Sequence, residues 1–268
     1  ENLAILAETV FEPYFTPALV KKEQGIIAQE IRMYHDDPSW RAYMAMMRNL
    51  FGDHPVSTDI AGTVESVHKI TARDLHACHR AFYTTRNVSF VISGDVNTDD
   101  CARLLDQIMK RWSHRASARP ARRTPKSAAK IVGSSSEAVD VVIPKLMAGW
   151  RIPVHGRKNG DLLDLETMLD IACTALFSRS SRLHKRLFSS GLIDDSFSAQ
   201  STVDGGFSFV AAAGDSKDPC KLATALCRGT ADMVRKGLDE KSVARAKRRL
   251  YGGFVRGLNS LDSIVSNV

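Results

Sequence analysis

The sequence has no apolar run near the roughly 18 residues that a membrane-spanning helix needs, so a transmembrane segment is not expected. Its start, ENLAILAETVFEPYF, lacks the basic opening and small-residue cleavage site of a secretory signal. It also lacks an initiator methionine and opens directly in a helical pattern, so a piece of a longer polypeptide is expected. Cysteine is sparse. Cys78, Cys101, Cys173, Cys220 and Cys227 make an odd count of five with no C-x-x-C. Buried or half-buried free thiols in a reducing, cytoplasmic setting are the expectation. No phosphate-binding loop, dinucleotide fingerprint or G-x-S-x-G elbow occurs, and neither does H-E-x-x-H or H-x-x-E-H. His76 and His79 lie three apart without a glutamate at ligand spacing and read as helix-surface residues. His35, His54, His68, His114, His155 and His184 form no ligand set either.

Acidic residues are absent from 110–130, where eight basic residues sit among prolines, serines and alanines. The formal net charge is +7, so removing those eight leaves −1 for the rest. The basicity therefore reads as an interdomain linker. With no aromatics interleaved, a nucleic-acid partner is not expected.

What is present is helix-rich. Periodicity predicts helices over 2–11, 17–35, 38–50 and 99–112, with Asp37 capping the third and Pro38 at its first position. Thr71 and Asp74 form a capping-box variant that starts another helix ending near Tyr83. Further helices are expected at 161–176, 180–189, 217–235 and 240–258. Strands are expected at 87–94, 138–143, 146–152, 196–202 and 207–213, the last two flanking the turn Asp204-Gly205-Gly206. Ser89-Phe90-Val91 leads to Gly94-Asp95 and a helix, and Ser208-Phe209-Val210 leads to Gly214-Asp215 and a helix. This faint repeat points to two related α+β domains, 1–112 and 131–268, joined by a basic linker at 113–130. Asp95, Asn97 and Asp99 copy the start of a calcium loop. Asp100 stands where that loop needs glycine, so helix capping is the reading.

The helix over 20–37, VKKEQGIIAQEIRMYHDD, carries Glu23 and Glu30. Seven residues at 3.6 per turn return to nearly the same azimuth, about 10 Å along the axis. Ile27 and Ile31 lie near that stripe, and a carboxylate on a partly apolar face calls for a partner such as a metal ion.

Three segments, EQGIIAQEIRMYHDDPSW, HPVSTDIAGTVESVHKITARDL and FYTTRNVSFVISGDV, resemble the pitrilysin family of zinc peptidases in order and spacing. SRSSRLHKRLFSSGLIDDSFSA resembles the family's next homologous domain, in its bacterial branch. The resemblance implies α+β architecture, two homologous domains each with a mostly antiparallel sheet and helices on one face. The first would be truncated at its start, the second at its end. It implies a metallopeptidase acting on peptides or small unfolded proteins through a zinc-activated water. Glu30 matches the third zinc ligand, and Glu23 matches an acidic residue that assists catalysis without touching the metal. The family's two histidine ligands and general-base glutamate have no counterpart in this chain, so alone it is expected to be inactive and not to bind zinc tightly. Where many active relatives carry an arginine and a tyrosine, Phe188 and Asp194 stand here. A heterodimer whose partner supplies that pair is therefore expected, and a non-catalytic structural or regulatory subunit is the alternative.

Overall fold

The structure, a computed structural model, describes residues 2–112, 130–154, 156 and 158–266. The expected linker at 113–130, all but Lys130, lies outside the described residues, as do His114 and His155. Two compact units emerge. One holds 2–32, 61–112 and 255–266. The other holds 33–60 and the described residues of 130–254, so a segment from the first sequence half groups with the second half.

In the first unit, α1 (Asn2–Phe11) packs against α6 (Thr98–Trp112). Ala7, Phe11 and Trp112 form the buried centre, with the Phe11 and Trp112 rings 5.1 Å apart. The Trp112 indole donates to Glu12 at 3.2 Å, and Arg111 reaches Glu8 at 2.8 Å. Helix α5 (Ala72–Phe82) opens with the reciprocal capping box foreseen at Thr71 and Asp74. The Asn97 side chain accepts from the Asp100 amide at 3.0 Å, so the calcium-like run is a helix cap. The short helix α4 (Val64–Val67), capped by Thr63, had no periodic signal at four residues.

Residues 87–94 are not a strand. A strand exists through its ladder, and no ladder reaches this segment among the described residues. Val88 and Phe90 alternate inward onto the Phe11–Trp112 cluster, while Val91 and Ile92 stay exposed. The side-chain alternation of a strand is therefore present without its pairing.

The second unit is built on an antiparallel sheet ordered β1-β3-β2, from β1 (Lys145–Arg151), β2 (Ser198–Val203) and β3 (Ser208–Asp215). The β2–β3 hairpin turns at Asp204-Gly205-Gly206, as foreseen, and Gly149 of β1 lies opposite Ala211. One face carries Ala148, Trp150, Val210 and Ala212. It packs on α7 (Asn159–Phe177), α8 (Arg182–Ser189) and α9 (Pro219–Lys236), with Leu222 and Leu226 fully buried. The opposite face offers Met147, Phe209 and Ala211 to Met46, Met47, Leu50 and Phe51 of α3 (Pro38–Phe51). Asp37 caps α3 through the Ser39 amide at 2.8 Å, with Pro38 in the first turn.

The run 138–143 is also not a strand. The chain from 130 to 137 instead follows α3, where the Val132 amide donates to Asn49 O at 2.9 Å and Asn49 to Ser135 at 2.8 Å. Arg41 pairs with Glu137 at the end of that strap. Helices α10 (Glu240–Gly257) and α11 (Leu261–Ser266) follow α9. The α+β class with an antiparallel sheet thus holds. No helix among the described residues is long and apolar enough to cross a membrane.

Candidate metal-ligand helix

Helix α2 (Pro17–Asp36) carries both sequence-predicted site residues. Its buried ridge is Val20, Gln24, Ala28 and Ile31, spaced four, four and three residues apart. Glu23, Ile27 and Glu30 each precede one of these residues, so they form the adjacent ridge, turned about 100° away. All three are exposed. Ile31 is 3% exposed and belongs to the buried ridge beside the acidic stripe, whereas Ile27 stands within the stripe. Neither carboxylate has an ion pair or hydrogen bond among the described residues, and α2 presents them to its surroundings uncompensated.

The rotation of α2 is fixed by a residue that sequence reasoning passed over. The Gln24 amide Nε2 donates to Ile70 O at 2.8 Å and to His68 O at 3.3 Å, and Gln24 is 9% exposed. A buried amide that has lost water needs these carbonyls, so it ties α2 to the chain before α5. A glutamine at an apolar-ridge position was the signal that could have revealed it.

The histidine pair resolves differently from the sequence reading. His79 is buried, its Nε2 donating to Val10 O at 2.8 Å and its ring 4.8 Å from that of Tyr83. It is a satisfied core histidine and not a surface one. His76 lies edge-on to Phe15 at 5.2 Å. Among the described residues no group of three or more His, Cys, Asp or Glu could hold a metal ion.

Phe188 ends α8 half in solvent, stacked on His184 at 6.1 Å. Burial, followed by the nearby Arg179, lowers the His184 imidazole pKa. Asp194 caps its own turn, accepting from the Ser196 hydroxyl at 2.5 Å and the Ser196 amide at 2.9 Å. These bonds hold its carboxyl below the usual range. Neither side chain can donate a hydrogen bond to a developing oxyanion at neutral pH. The five thiols are unpaired, but Cys78, Cys220 and Cys227 are exposed where the sequence reading expected burial. Each lies on the outer side of an amphipathic helix.

The family model "Peptidase M16 inactive domain" matches residues 69–250. The chain is 32% identical over 268 residues to the uncharacterized zinc protease YmfH of Bacillus subtilis (strain 168), covering 99% of this chain and 62% of that protein. It is 28% identical over 256 residues to the uncharacterized zinc protease ML0855 of Mycobacterium leprae (strain TN), covering 93% and 56%. The crystal structure of an M16-like peptidase from Alicyclobacillus acidocaldarius superposes with a TM-score of 0.84 at 31% identity, over 99% of this chain and 63% of that one. A peptidase M16 inactive domain from Pseudomonas fluorescens gives 0.77 at 18% identity, over 99% and 62%, and so supports the fold alone. The chain spans less than two thirds of the length of each of these relatives. With the family model covering most of the sequence, the chain belongs to the M16, or pitrilysin, family of zinc proteases.

Proposed function

We propose that this chain is part of a zinc-dependent metalloendopeptidase that hydrolyses peptides or small unfolded proteins. The observation that carries the reading is Glu30, an exposed and unpaired carboxylate at a fixed azimuth on α2. It stands in a chain similar over 99% of its length to a protein named a zinc protease. In this reading Glu30 is one metal ligand and Glu23, two turns earlier, assists without touching the metal. The residues present do not make a metal site by themselves. The two carboxylates are about 10 Å apart along the axis, while a zinc–oxygen bond is about 2.0–2.2 Å. Among the described residues no histidine pair joins them. The chain alone therefore neither retains zinc tightly nor cleaves peptides. Five unpaired thiols support a cytoplasmic setting.

The test uses a longer polypeptide in which an H-x-x-E-H helix precedes this sequence. Glu30→Gln there lowers bound zinc from one equivalent to near zero and abolishes hydrolysis. Glu23→Gln keeps the zinc and lowers kcat about 10–100-fold. Both positions are exposed, so with zinc stripped from all proteins by a chelator the variants stay within about 0.5 kcal/mol of the parent in thermal stability. A Glu30→Gln protein that holds a full equivalent of zinc refutes the assignment.

A second reading, a non-catalytic or regulatory subunit of a family heterodimer, draws on the description of the matched model as the inactive domain, and on Phe188 and Asp194. Hydrolysis that appears only when a family partner bearing the arginine and tyrosine is added supports pairing. Full activity of the monomer excludes it.

A further inference from the structure

Charge in the second unit is not spread evenly. Helix α10 runs Lys241, Arg245 and Arg248 along one ridge at spacings of four and three, with Lys247 and Arg249 beside it. All are exposed, and none has a carboxylate partner among the described residues. At the start of that ridge a cavity of about 270 Å³ opens between α8, α9 and α10. Leu183, Met233 and Leu238 help to floor it, and Arg182, Arg186 and Lys236 stand on its rim. Gly229 lets α8 and α9 approach this closely, since a Cβ there would lie 2.6 Å from Leu183 Cδ2. The rim's two carboxylates are already engaged. Asp232 pairs with Arg235 at 2.5 Å and with Lys236 at 4.0 Å, and Asp239 accepts from the Ser242 amide at 2.9 Å and hydroxyl at 2.8 Å while facing the charges of Arg182 and Arg245. The corner carries an excess of cations: Lys241, Lys247, Arg248 and Arg249 have no ion pair among the described residues, while Arg182 and Arg245 share the field of Asp239 at the mouth of a small pocket with an apolar floor.

We infer that this corner binds an acidic peptide segment, with Lys241, Arg245 and Arg248 taking successive carboxylates and the pocket seating one side chain between Arg182 and Arg186. The choice of peptide over other polyanions rests on the peptidase reading and on how few exposed aromatics accompany the cations. On α10 a single exposed aromatic, Tyr251, stands within a turn of the cations, against the successive stacking platforms that a nucleic-acid strand uses. The apolar side of that stretch is already used, with Ala246 buried and Val243 and Leu250 half-buried, and the exposed Tyr251, Phe254 and Val255 lie beyond the cations. The track from Lys241 to Arg248 is about 10 Å long, the span of three to four extended residues.

The test reads binding without hydrolysis, so it stands apart from the peptidase reading. A fluorescent ten-residue glutamate-rich peptide is titrated into the full chain at low salt. Its glutamine counterpart and a single-stranded oligonucleotide of equal length are titrated in parallel. The glutamate peptide binds at least tenfold more tightly than the glutamine peptide, and its affinity falls steeply with salt. The triple variant Arg182→Gln/Arg245→Gln/Arg248→Gln loses at least tenfold. The pair Lys217→Gln/Lys221→Gln, about 22 Å away at the other end of α9, loses less than twofold. An unchanged thermal midpoint shows that the triple variant is folded, and Arg245→Glu/Arg248→Glu must weaken binding further. Equal loss in the control pair, or no loss in the triple variant, overturns the site. Oligonucleotide binding as tight as the glutamate peptide overturns the peptide assignment.

Discussion

Cys173 offers a quantitative check on the packing of the second unit. It sits in α7, 7% exposed, among Phe177, Leu187, Leu222 and Leu226. Burial, helped by the charge on Asp170, pushes its thiol from 9.0 up to about 11. The thiolate is the reactive form, so two pH units lower its population about a hundredfold at pH 8, before any steric protection. With a chromogenic disulfide reagent, Cys78, Cys220 and Cys227 should react fast, with Cys101 slower. Cys173 should lag by at least about a hundredfold until the unit opens. Cys173→Ala should delete the slow phase and leave the fast phases unchanged. The sign of the pH effect follows from the same shift. The folded thiol holds its proton more tightly than the unfolded one, so the stability from that difference is complete below pH 9 and is lost as pH rises toward 11. The parent should therefore lose more thermal stability than Cys173→Ala between pH 9 and pH 11. Five thiols reacting at one rate in the native protein, or identical alkaline profiles for the two proteins, refute the burial argument.

Two further substitutions test the framework. A Cβ at Gly214 would meet the Phe197 backbone Cα at 2.9 Å, whereas one at Gly149 would meet the Met46 sulfur and a Leu50 methyl at 2.7 Å. A thioether can turn aside and a backbone cannot, so Gly214→Ala should cost about 1–3 kcal/mol in urea unfolding and Gly149→Ala less. The reverse order refutes the reasoning. Gln24→Ala strips two carbonyls of their donor and should cost about 1–2 kcal/mol, with faster amide exchange in α2 and in residues 68–70. Exchange unchanged in both segments would show that Gln24 does not tie them together.

The helices were legible because their signals are local. Asp37-Pro38 and Thr71…Asp74 fix start points without help from the rest of the chain, and the observed caps use those side chains. Two expected strands failed because a strand is defined by a partner that sequence alternation does not name. Residues 87–94 turn Val88 and Phe90 onto the Phe11–Trp112 cluster, and 138–143 joins no ladder among the described residues. The repeat around Gly94 and Gly214 is likewise partial: both lead into a helix, but a paired strand precedes only Gly214. Charge was misread for a different reason. A balance of −1 outside 110–130 averages the α10 ridge against scattered carboxylates, and only a segment-by-segment count shows how basic 241–249 is.

The acidic ridge of α2 supports a role outside folding. Val20, Gln24, Ala28 and Ile31 are the residues that α2 buries, and Glu23, Ile27 and Glu30, one position earlier, stay exposed. A ridge with no task is served well by lysine, glutamine or alanine. Here it is Glu23, Ile27 and Glu30, with Ile26 41% and Met33 61% exposed on the same helix. Exposed isoleucine beside unpaired carboxylates is a poor solution for a surface. It is a reasonable one for a face that another helix covers, because apolar side chains then gain burial and each carboxylate gains a cationic or metal partner. Two carboxylates two turns apart cannot share one ion, so the proposed roles differ, with one carboxylate on the metal and the other acting from the side. That division of labour is the one the M16 reading assigns to Glu30 and Glu23, and it requires the rotation of α2 that Gln24 enforces.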